Sequence, residues 1–300
     1  MLYRLRTKLA RDRFDAGVRS VLDTPPLSMT DAPLTIVSQL RRADVLAWLV
    51  AIKSTYPRLG RGRVVVVDDG SLTGEDREVL GAHVPLLTVR SLAEGRVPGL
   101  PEGGTWERLC VIARECERAY AIQLDADVVT RGPLDAVLAH VAANTPFALA
   151  DGPVPGRRPV AEVAAWNAAR EAREDHVQNE AELVLADADL PPGAQYLRGT
   201  SAFAGFPRGA DLMGPIRRFS DAMRDVLGDR WDAWGTEQVT SNYVVANVGP
   251  AEPLVPPTYV NHTPEADLSA ASLVHYYGTH RFRRGRYLRA ARAAVAEMGA

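Results

Sequence analysis

The sequence has little lysine and little cysteine. Among its 300 residues there are two lysines, Lys8 and Lys53, and two cysteines, Cys110 and Cys116. The cysteines stand six positions apart within one predicted helix, a spacing that suits neither a disulfide framework nor a tetrahedral zinc site. We therefore expect a reducing compartment, and hence a cytoplasmic protein, with no metal held by thiolates.

The sequence also lacks an excess of charge of either sign, and it lacks long apolar runs. The chain has 35 basic and 37 acidic residues, for a formal net charge of −2, which excludes a protein that coats nucleic acid. No segment approaches the roughly 18 consecutive apolar residues of a membrane span, and the N-terminus lacks the apolar core of a signal peptide. The sequence therefore predicts a soluble chain.

Basic residues are concentrated at the two ends, in residues 1–30 and 281–300. Such runs either contact anionic lipid head groups, here at the inner face of the membrane, or form ordinary solvated helix faces. The sequence leaves both interpretations open. The residues are Arg4, Arg6, Lys8, Arg11 and Arg13 at the start, and Arg281, Arg283, Arg284, Arg286, Arg289 and Arg292 at the finish.

Strand and helix patterns alternate over the first 150 residues, which predicts an α/β fold with an open, mainly parallel, twisted sheet and helices on both faces. In the second half we expect a further elaboration of one domain over residues 31–280, because no linker divides the chain. The predicted strands are 34–40, 64–67, 85–90, 120–124, 146–150, 200–206 and 273–277. The predicted helices are 45–52, one from 74, 106–118, 133–143, 159–186, 211–227, 236–245 and a basic C-terminal helix in 281–300.

Two carboxylates, Asp125 and Asp127, follow the predicted strand 120–124. Ligands of open α/β sheets bind at the carboxyl ends of strands, and a pair of acids there can hold a divalent cation against a diphosphate. Asp68 and Asp69 end the preceding valine strand and could accept hydrogen bonds from a base or ribose. The alternatives are a helix cap with a solvated acid for the first pair and an ordinary turn for the second.

Two basic side chains add to this prediction. Arg108 stands at the start of a predicted helix, where a guanidinium could hold phosphate or sugar oxygens, or simply form a salt bridge on the helix surface. His275 lies in the last predicted strand and could bring an imidazole to the metal. Imidazole with two carboxylates suits manganese better than calcium. A structural histidine is the alternative.

The order of these motifs resembles nucleotide-sugar glycosyltransferases of the GT-A fold. The motifs are Val-Val-Val-Val-Asp-Asp-Gly-Ser, Trp-Glu-Arg, Gln-Leu-Asp-Ala-Asp, Gly-Thr-Glu-Gln and His-Tyr-Tyr-Gly, and they extend over roughly residues 34 to 280. The last of them resembles the retaining branch that includes glycogenin. The sequence departs from that branch at His280 and Arg281, which stand where it usually has lysine.

The resemblance implies a transferase that uses Mn²⁺ or Mg²⁺ and a nucleoside diphosphate sugar, with a UDP-sugar expected, and an acceptor that the sequence does not identify. It implies that Asp125, Asp127 and His275 bind the metal, and that Asp127, Arg108 and Glu237 take part in catalysis. Glu237 is either the base of an inverting reaction or a residue that orients sugar hydroxyls. The donor-binding residues it implies are Ser38, Gln39, Asp68, Asp69, Arg108, Ala126 and Gln238.

Three other functions compete with this prediction. The Leu-Asp-Ala-Asp motif also resembles the nucleophile loop of haloacid-dehalogenase-type phosphohydrolases, but those enzymes need a downstream lysine and this chain has none after Lys53. The fold could also bind a nucleotide sugar without turnover. A dinucleotide-dependent dehydrogenase is disfavoured, since no Gly-x-Gly-x-x-Gly follows the first strand.

Overall fold

The computed structural model describes residues 2–152, 156–170 and 176–299, and it has a mixed α/β architecture. Seven strands form a mainly parallel principal sheet that helices flank, as the sequence predicts. The strands are β1 Leu34–Leu40, β2 Arg63–Asp68, β3 Leu87–Ser91, β4 Tyr120–Leu124, β5 Val128–Thr130, β6 Phe147–Ala150, β7 Arg157–Pro159, β8 Gln195–Leu197, β9 Gly199–Phe206, β10 Glu252–Leu254, β11 Tyr259–Asn261 and β12 Leu273–His275.

Eleven α-helices lie within the described residues, together with short 3₁₀ segments at Arg19–Asp23, Arg42–Asp44, Gly228–Asp232, Gly278–His280 and Arg283–Gly285. Within the described residues, no helix combines the length and the apolar composition that a membrane span requires. The α-helices are α1 Leu2–Val18, α2 Val45–Leu59, α3 Gly74–His83, α4 Leu92–Gly95, α5 Trp106–Glu115, α6 Asp135–Ala143, α7 Val160–Ala168, α8 Val177–Leu183, α9 Met213–Leu227, α10 Thr236–Asn247 and α11 Arg286–Met298.

Most predicted elements are confirmed, with shifts at their ends. The predicted helix 159–186 differs most: β7 ends at Pro159, α7 and α8 follow as separate helices, and residues 171–175 lie outside the described residues. Cys116 follows the last residue of α5 instead of lying within it, and β12 ends at His275 instead of residue 277. The predicted domain boundaries at residues 30 and 280 stay predictions.

The first of two compact units comprises the described parts of residues 1–90, 124–138 and 255–300. In it β1 pairs in parallel with β2, and this pairing places Leu40 opposite Asp68 at the carboxyl ends of both strands. A second, three-stranded sheet has the order β11-β12-β5, with β12 parallel to β11 and antiparallel to β5. Helix α11 packs on α1 and α2, and the ring of Phe14 stacks on Tyr287 at a centroid distance of 4.1 Å.

The second unit comprises residues 91–123 and 139–254. Its strands of the principal sheet follow the order β10-β6-β9-β4, with β6 parallel to β10 and antiparallel to β9, while β7 and β8 form an antiparallel pair. Helix α10 packs against β8 and β9 and is buried along almost its whole length. The segment that precedes α10 is therefore attached to a rigid part of this unit.

Candidate functional site

Asp125, Asp127 and His275 form a cluster in the first unit. Potential ligand atoms of the three side chains all lie within 4.8 Å of one another. Strand β4 ends at Leu124, directly before the two acids, and β5 follows them, while the antiparallel pairing of β12 with β5 places His275 opposite Val128. Strand pairing thus brings together two carboxylates and an imidazole that lie about 150 positions apart in the sequence.

The orientation of the His275 ring is fixed by Asn261. Parallel pairing of β11 and β12 places Asn261 opposite His275, and Nδ1–H of the histidine donates to Asn261 Oδ1 at 2.9 Å. Because an amide oxygen only accepts, Nδ1 carries a hydrogen, and Nε2 is the ring nitrogen that faces the acids. Nε2 lies 3.5 Å from Oδ1 of Asp127.

The other carboxylate oxygen of Asp127 is held by Arg281. Nη2 of Arg281 donates to Asp127 Oδ2, and its Nε donates to the Tyr276 carbonyl at 3.1 Å. Asp127 is buried, which by itself would raise its pKa, but the Arg281 guanidinium and then His275 hold the pKa below its usual range. Asp127 is therefore ionised, with one oxygen neutralised by Arg281 and the other directed toward His275.

This donor set fits a divalent cation. Carboxylate oxygens and a neutral imidazole nitrogen are ligands of manganese and magnesium-type sites, and a histidine that ligates a metal typically donates its other N–H to an oxygen acceptor. The Asp-Asp-His cluster is thus a possible metal site, as the sequence predicts, and its geometry does not identify the ion.

The residues predicted to bind the donor have different environments within the first unit. Ser38 is fully buried and its Oγ donates to the Leu124 carbonyl at 2.6 Å, whereas Gln39 is half-buried. Ser38 thus fixes the strand end that carries Asp125. The backbone carbonyl of Ala126 accepts from the Tyr287 hydroxyl at 3.3 Å, which ties the loop between the two acids to α11.

Asp68 and Asp69 differ in exposure. Asp68 is buried, accepts from the backbone N–H groups of Gly70 and Leu72 at 2.8 and 3.2 Å, and pairs with Arg77. It therefore shapes the turn after β2. Asp69 is half-buried and lines a cleft of about 680 Å³ whose wall also includes Arg19, Arg41, Arg42, Ser71 and Asp76. Of the two acids, Asp69 is the one that reaches an open cleft.

Arg108, Glu237 and Gln238 belong to a separate cluster in the second unit. Glu237 is buried at the first turn of α10, with Oε1 at 3.6 Å from Nη2 of Arg108 and Oε2 accepting from the Thr105 hydroxyl at 2.8 Å. Gln238 Oε1 accepts from the backbone N–H of Ser201 at 3.1 Å. Both members of the Arg108–Glu237 pair are almost fully buried, so Arg108 is not in a surface salt bridge with its helix neighbours.

Asn261 and Arg281 were not assigned to the site from the sequence. Asn261 stands on a three-residue strand without a clear pattern, and only its pairing with β12 shows its role. Arg281 was identified as the residue that occupies the position of a lysine in the glycogenin branch, and that position could have suggested a contact with the acids. Neither contact follows from composition or periodicity.

Comparisons with known proteins support the fold. No protein-family model and no curated protein matches the chain. Among solved structures it is similar to a galactosyltransferase, LgtC, in complex with donor and acceptor sugar analogs, with 13% identity over 88% of this chain and 95% of that one and a TM-score of 0.53. An active-site mutant of LgtC gives the same identity and coverage, with a TM-score of 0.50. The chain therefore has the fold of GT-A glycosyltransferases.

Proposed function

We propose that this protein is a metal-dependent glycosyltransferase that moves a sugar from a nucleoside diphosphate donor to an acceptor. The observation that carries the proposal is the cluster of Asp125, Asp127 and His275 at the carboxyl end of a strand in a GT-A fold. Fold alone does not determine activity, whereas this set of ligands supplies the chemistry that the reaction requires.

We propose Asp125, Asp127 and Nε2 of His275 as the ligands of Mn²⁺ or Mg²⁺. When bound, the ion would neutralise the negative charge that develops on the departing diphosphate. Arg281 keeps Asp127 ionised and oriented, and Asn261 orients the His275 ring so that Nε2 faces Asp127. These two residues act by positioning the ligands.

Donor recognition beyond the metal is part of the same proposal. Asp69 lines a cleft at the carboxyl ends of β1 and β2, and we propose that this cleft takes the nucleoside, with UDP as the first candidate. The predicted roles of Ser38, Gln39, Asp68 and Ala126 in binding, and those of Arg108, Glu237 and Gln238 in binding and catalysis, stay predictions. The retaining course of the reaction is likewise a proposal that rests on the resemblance of the His275 motif.

The positions of the lysines disfavour the phosphohydrolase alternative. Lys53 is buried, and its Nζ donates to the Pro25 carbonyl at 2.8 Å and lies 3.1 Å from Nδ1 of His83. Lys8 is exposed on α1. A phospho-aspartate at Asp125 would lack the ammonium group that stabilises it, because both lysines of the chain are placed elsewhere.

Calorimetric titration of the protein with UDP, GDP and ADP, each with and without Mn²⁺, tests the proposal directly. We expect one nucleotide to bind more tightly with the metal, and we expect Asp127→Asn to abolish the metal-dependent part. Asp31→Asn is the matched control, since Asp31 forms an exposed pair with Arg63. Metal-independent binding of every nucleotide, or unchanged binding by Asp127→Asn, would contradict the proposed site.

Catalysis needs a second measurement, because a protein that binds a nucleotide sugar without turnover would give the same result in the calorimetric titration. We expect the metal-loaded protein to release the nucleoside diphosphate slowly from one donor in a panel of UDP-, GDP- and ADP-sugars, as water replaces the acceptor. A folded, metal-loaded protein that binds a nucleotide and hydrolyses no donor would favour the non-catalytic alternative.

We also propose that the basic ends contact anionic lipid at the cytoplasmic face of a membrane. Helices α1 and α11 pack on each other, and their exposed residues include Lys8, Arg13, Arg289 and Arg292. Each such residue near an anionic surface contributes about 1 kcal/mol. Co-sedimentation with vesicles that contain phosphatidylglycerol should exceed that with phosphatidylcholine vesicles and fall as salt is raised, and equal sedimentation with both would refute the contact.

A further inference from the structure

Two tryptophans near α10 have opposite environments. Trp231 is fully buried, and its Nε1 donates to the Ser220 hydroxyl at 2.9 Å. Trp234, three positions later, is 70% exposed. Trp231 contributes to the core of the second unit, whereas the indole of Trp234 presents a large apolar surface to solvent.

The backbone around Trp234 is firmly held. The Ala233 carbonyl accepts from the Thr236 hydroxyl at 3.0 Å, and the same hydroxyl accepts from the indole N–H of Trp106 at 3.0 Å. Gly235 has a φ of 106°, and a Cβ there would lie 2.9 Å from Cε1 of His176, so glycine is required. The exposed indole is thus attached to a rigid turn, which lowers the entropy cost of binding a ligand.

Polar groups border this indole. His176 meets Trp234 edge-on at a centroid distance of 5.6 Å, and its Nδ1 accepts from the backbone N–H of Gln178, so its Nε2 carries a hydrogen and is a donor. Gly104 lies against Trp234, and the following residue, Thr105, carries the hydroxyl that is bonded to Glu237. An aromatic face beside a few fixed polar groups is a surface that suits a sugar ring, whose C–H face is apolar and whose edge is polar.

The surroundings favour a neutral carbohydrate over other ligands. Arg224 and Arg230 precede Trp234, and both are held by carboxylates, Arg224 by Asp232 at 2.8 Å and Arg230 by Glu180. A phosphorylated ligand would compete with these pairs. Within the described residues of the second unit, Trp234 is the one exposed large hydrophobic side chain, so it is not part of an apolar patch of this unit of the size that a protein partner needs.

We infer that Trp234 is a binding platform for a pyranose ring of the acceptor, which would make the acceptor a glycan or a glycoside. This inference rests on the proposed glycosyltransferase function, since it assigns a substrate class to that reaction. Trp234 would be a positioning residue for the acceptor, with His176 as a hydrogen-bond donor at its edge.

The test measures binding of free sugars to the metal-free protein. The probes are a panel of methyl glycosides and disaccharides at millimolar concentration, followed by the change in tryptophan fluorescence and by saturation-transfer NMR. We expect saturable binding of at least one sugar, about tenfold or more weaker in Trp234→Ala, because the buried area of an indole face is lost. Trp234→Phe should restore part of it.

Trp166→Phe is the matched control. Trp166 belongs to the same unit, but its ring is covered by the guanidinium groups of Arg170 at 4.9 Å and Arg198 at 5.6 Å. We expect this variant to bind the sugars like the wild type. Circular dichroism should show that Trp234→Ala is folded, since its side chain is mostly exposed.

Several results would overturn the inference. If the wild type binds no sugar, or if Trp234→Ala binds sugars as tightly as the wild type does, the inference is contradicted. A third contrary result is that Trp234→Ala loses binding of the nucleotide sugar instead of the free sugar, because the donor would then lie on the indole. Donor hydrolysis by the metal-loaded protein is measured in parallel. Its absence contradicts the proposed function, whereas hydrolysis that persists in Trp234→Ala together with lost sugar binding supports the acceptor platform.

Discussion

Replacing Arg281 by glutamine tests how the site keeps Asp127 ionised. In the folded protein the side chains of Arg281 and Asp127 are 21% and 6% exposed, and the guanidinium is the direct partner of one carboxylate oxygen. Without this partner, the second carboxylate oxygen is left inside the protein with no opposite charge in contact with it. We expect Arg281→Gln to destabilise the metal-free protein.

The expected loss is about 3 kcal/mol of the free energy of unfolding at pH 7. Removal of one partner of a buried ion pair costs about 3–5 kcal/mol, and the partial exposure of Arg281 places this case at the lower end. A bound cation would supply the missing opposite charge. The stabilisation by Mn²⁺, which is about 2.7 kcal/mol for a free ligand at one hundred times its dissociation constant, should therefore be larger in the variant than in the wild type.

Urea denaturation with EDTA and with Mn²⁺ measures both quantities. Arg284→Gln is the matched control, because Arg284 pairs with Glu265 at 3.8 Å and both side chains are more than half exposed. Its loss should stay below about 1 kcal/mol. Adding Asp127→Asn to Arg281→Gln should recover stability in EDTA, since the unpaired buried charge is then gone.

Two results would refute this reasoning. If Arg281→Gln is as stable as the wild type in EDTA, the pair does not hold the charge of Asp127. If Mn²⁺ stabilises both proteins equally, the cation does not contact the carboxylate that Arg281 neutralises, and the metal site lies elsewhere.

Three further predictions concern stability. Burial lowers the pKa of His262 from 6.5 to about 4, so between these pH values the unfolded chain binds a proton that the folded chain does not. The free energy of unfolding should therefore fall on acidification through this window. Urea denaturation at a series of pH values should show a smaller fall for His262→Gln. Ser38→Ala should cost about 1–2 kcal/mol in the same assay at pH 7, because a buried hydrogen bond to β4 is lost, and an unchanged midpoint would contradict the anchoring role. Phe14→Ala should lower the free energy of unfolding by about 3–4 kcal/mol, because it removes the ring stacked on Tyr287. Leu9→Ala, on the exposed face of α1, should change it by no more than about 0.5 kcal/mol. Similar losses for the two variants would refute the packing of α1 on α11.

The parts of the fold that the sequence predicts are those with a strong local pattern. Four consecutive valines specify β2, and the apolar run before Asp125 specifies β4, because β-branched and apolar residues in short runs form buried strands. Strands β5 and β11 have three residues each, too few for a period to appear. Their existence depends on pairing with β12, which is a property of the folded chain.

The candidate site also contains residues that the sequence predicts and residues that it does not. Asp125, Asp127 and His275 are predictable because each follows or ends a recognisable strand. Arg281 and Asn261, which set the ionisation of Asp127 and the orientation of His275, are not predictable, because they reach these residues through tertiary contacts. Burial is equally hard to predict from the sequence. Trp231 and Trp234 are three positions apart, yet one is buried and the other exposed, and only packing determines this difference.

The first unit is assembled from three separate stretches of the chain, with the second unit's residues inserted between them. During synthesis the two carboxylates therefore emerge long before the imidazole, and Arg281 appears last of the four. A chain that stops short of these final residues would have acidic groups without the side chains that neutralise and orient them. We therefore expect strong cation binding only in chains that include residues 275 to 281.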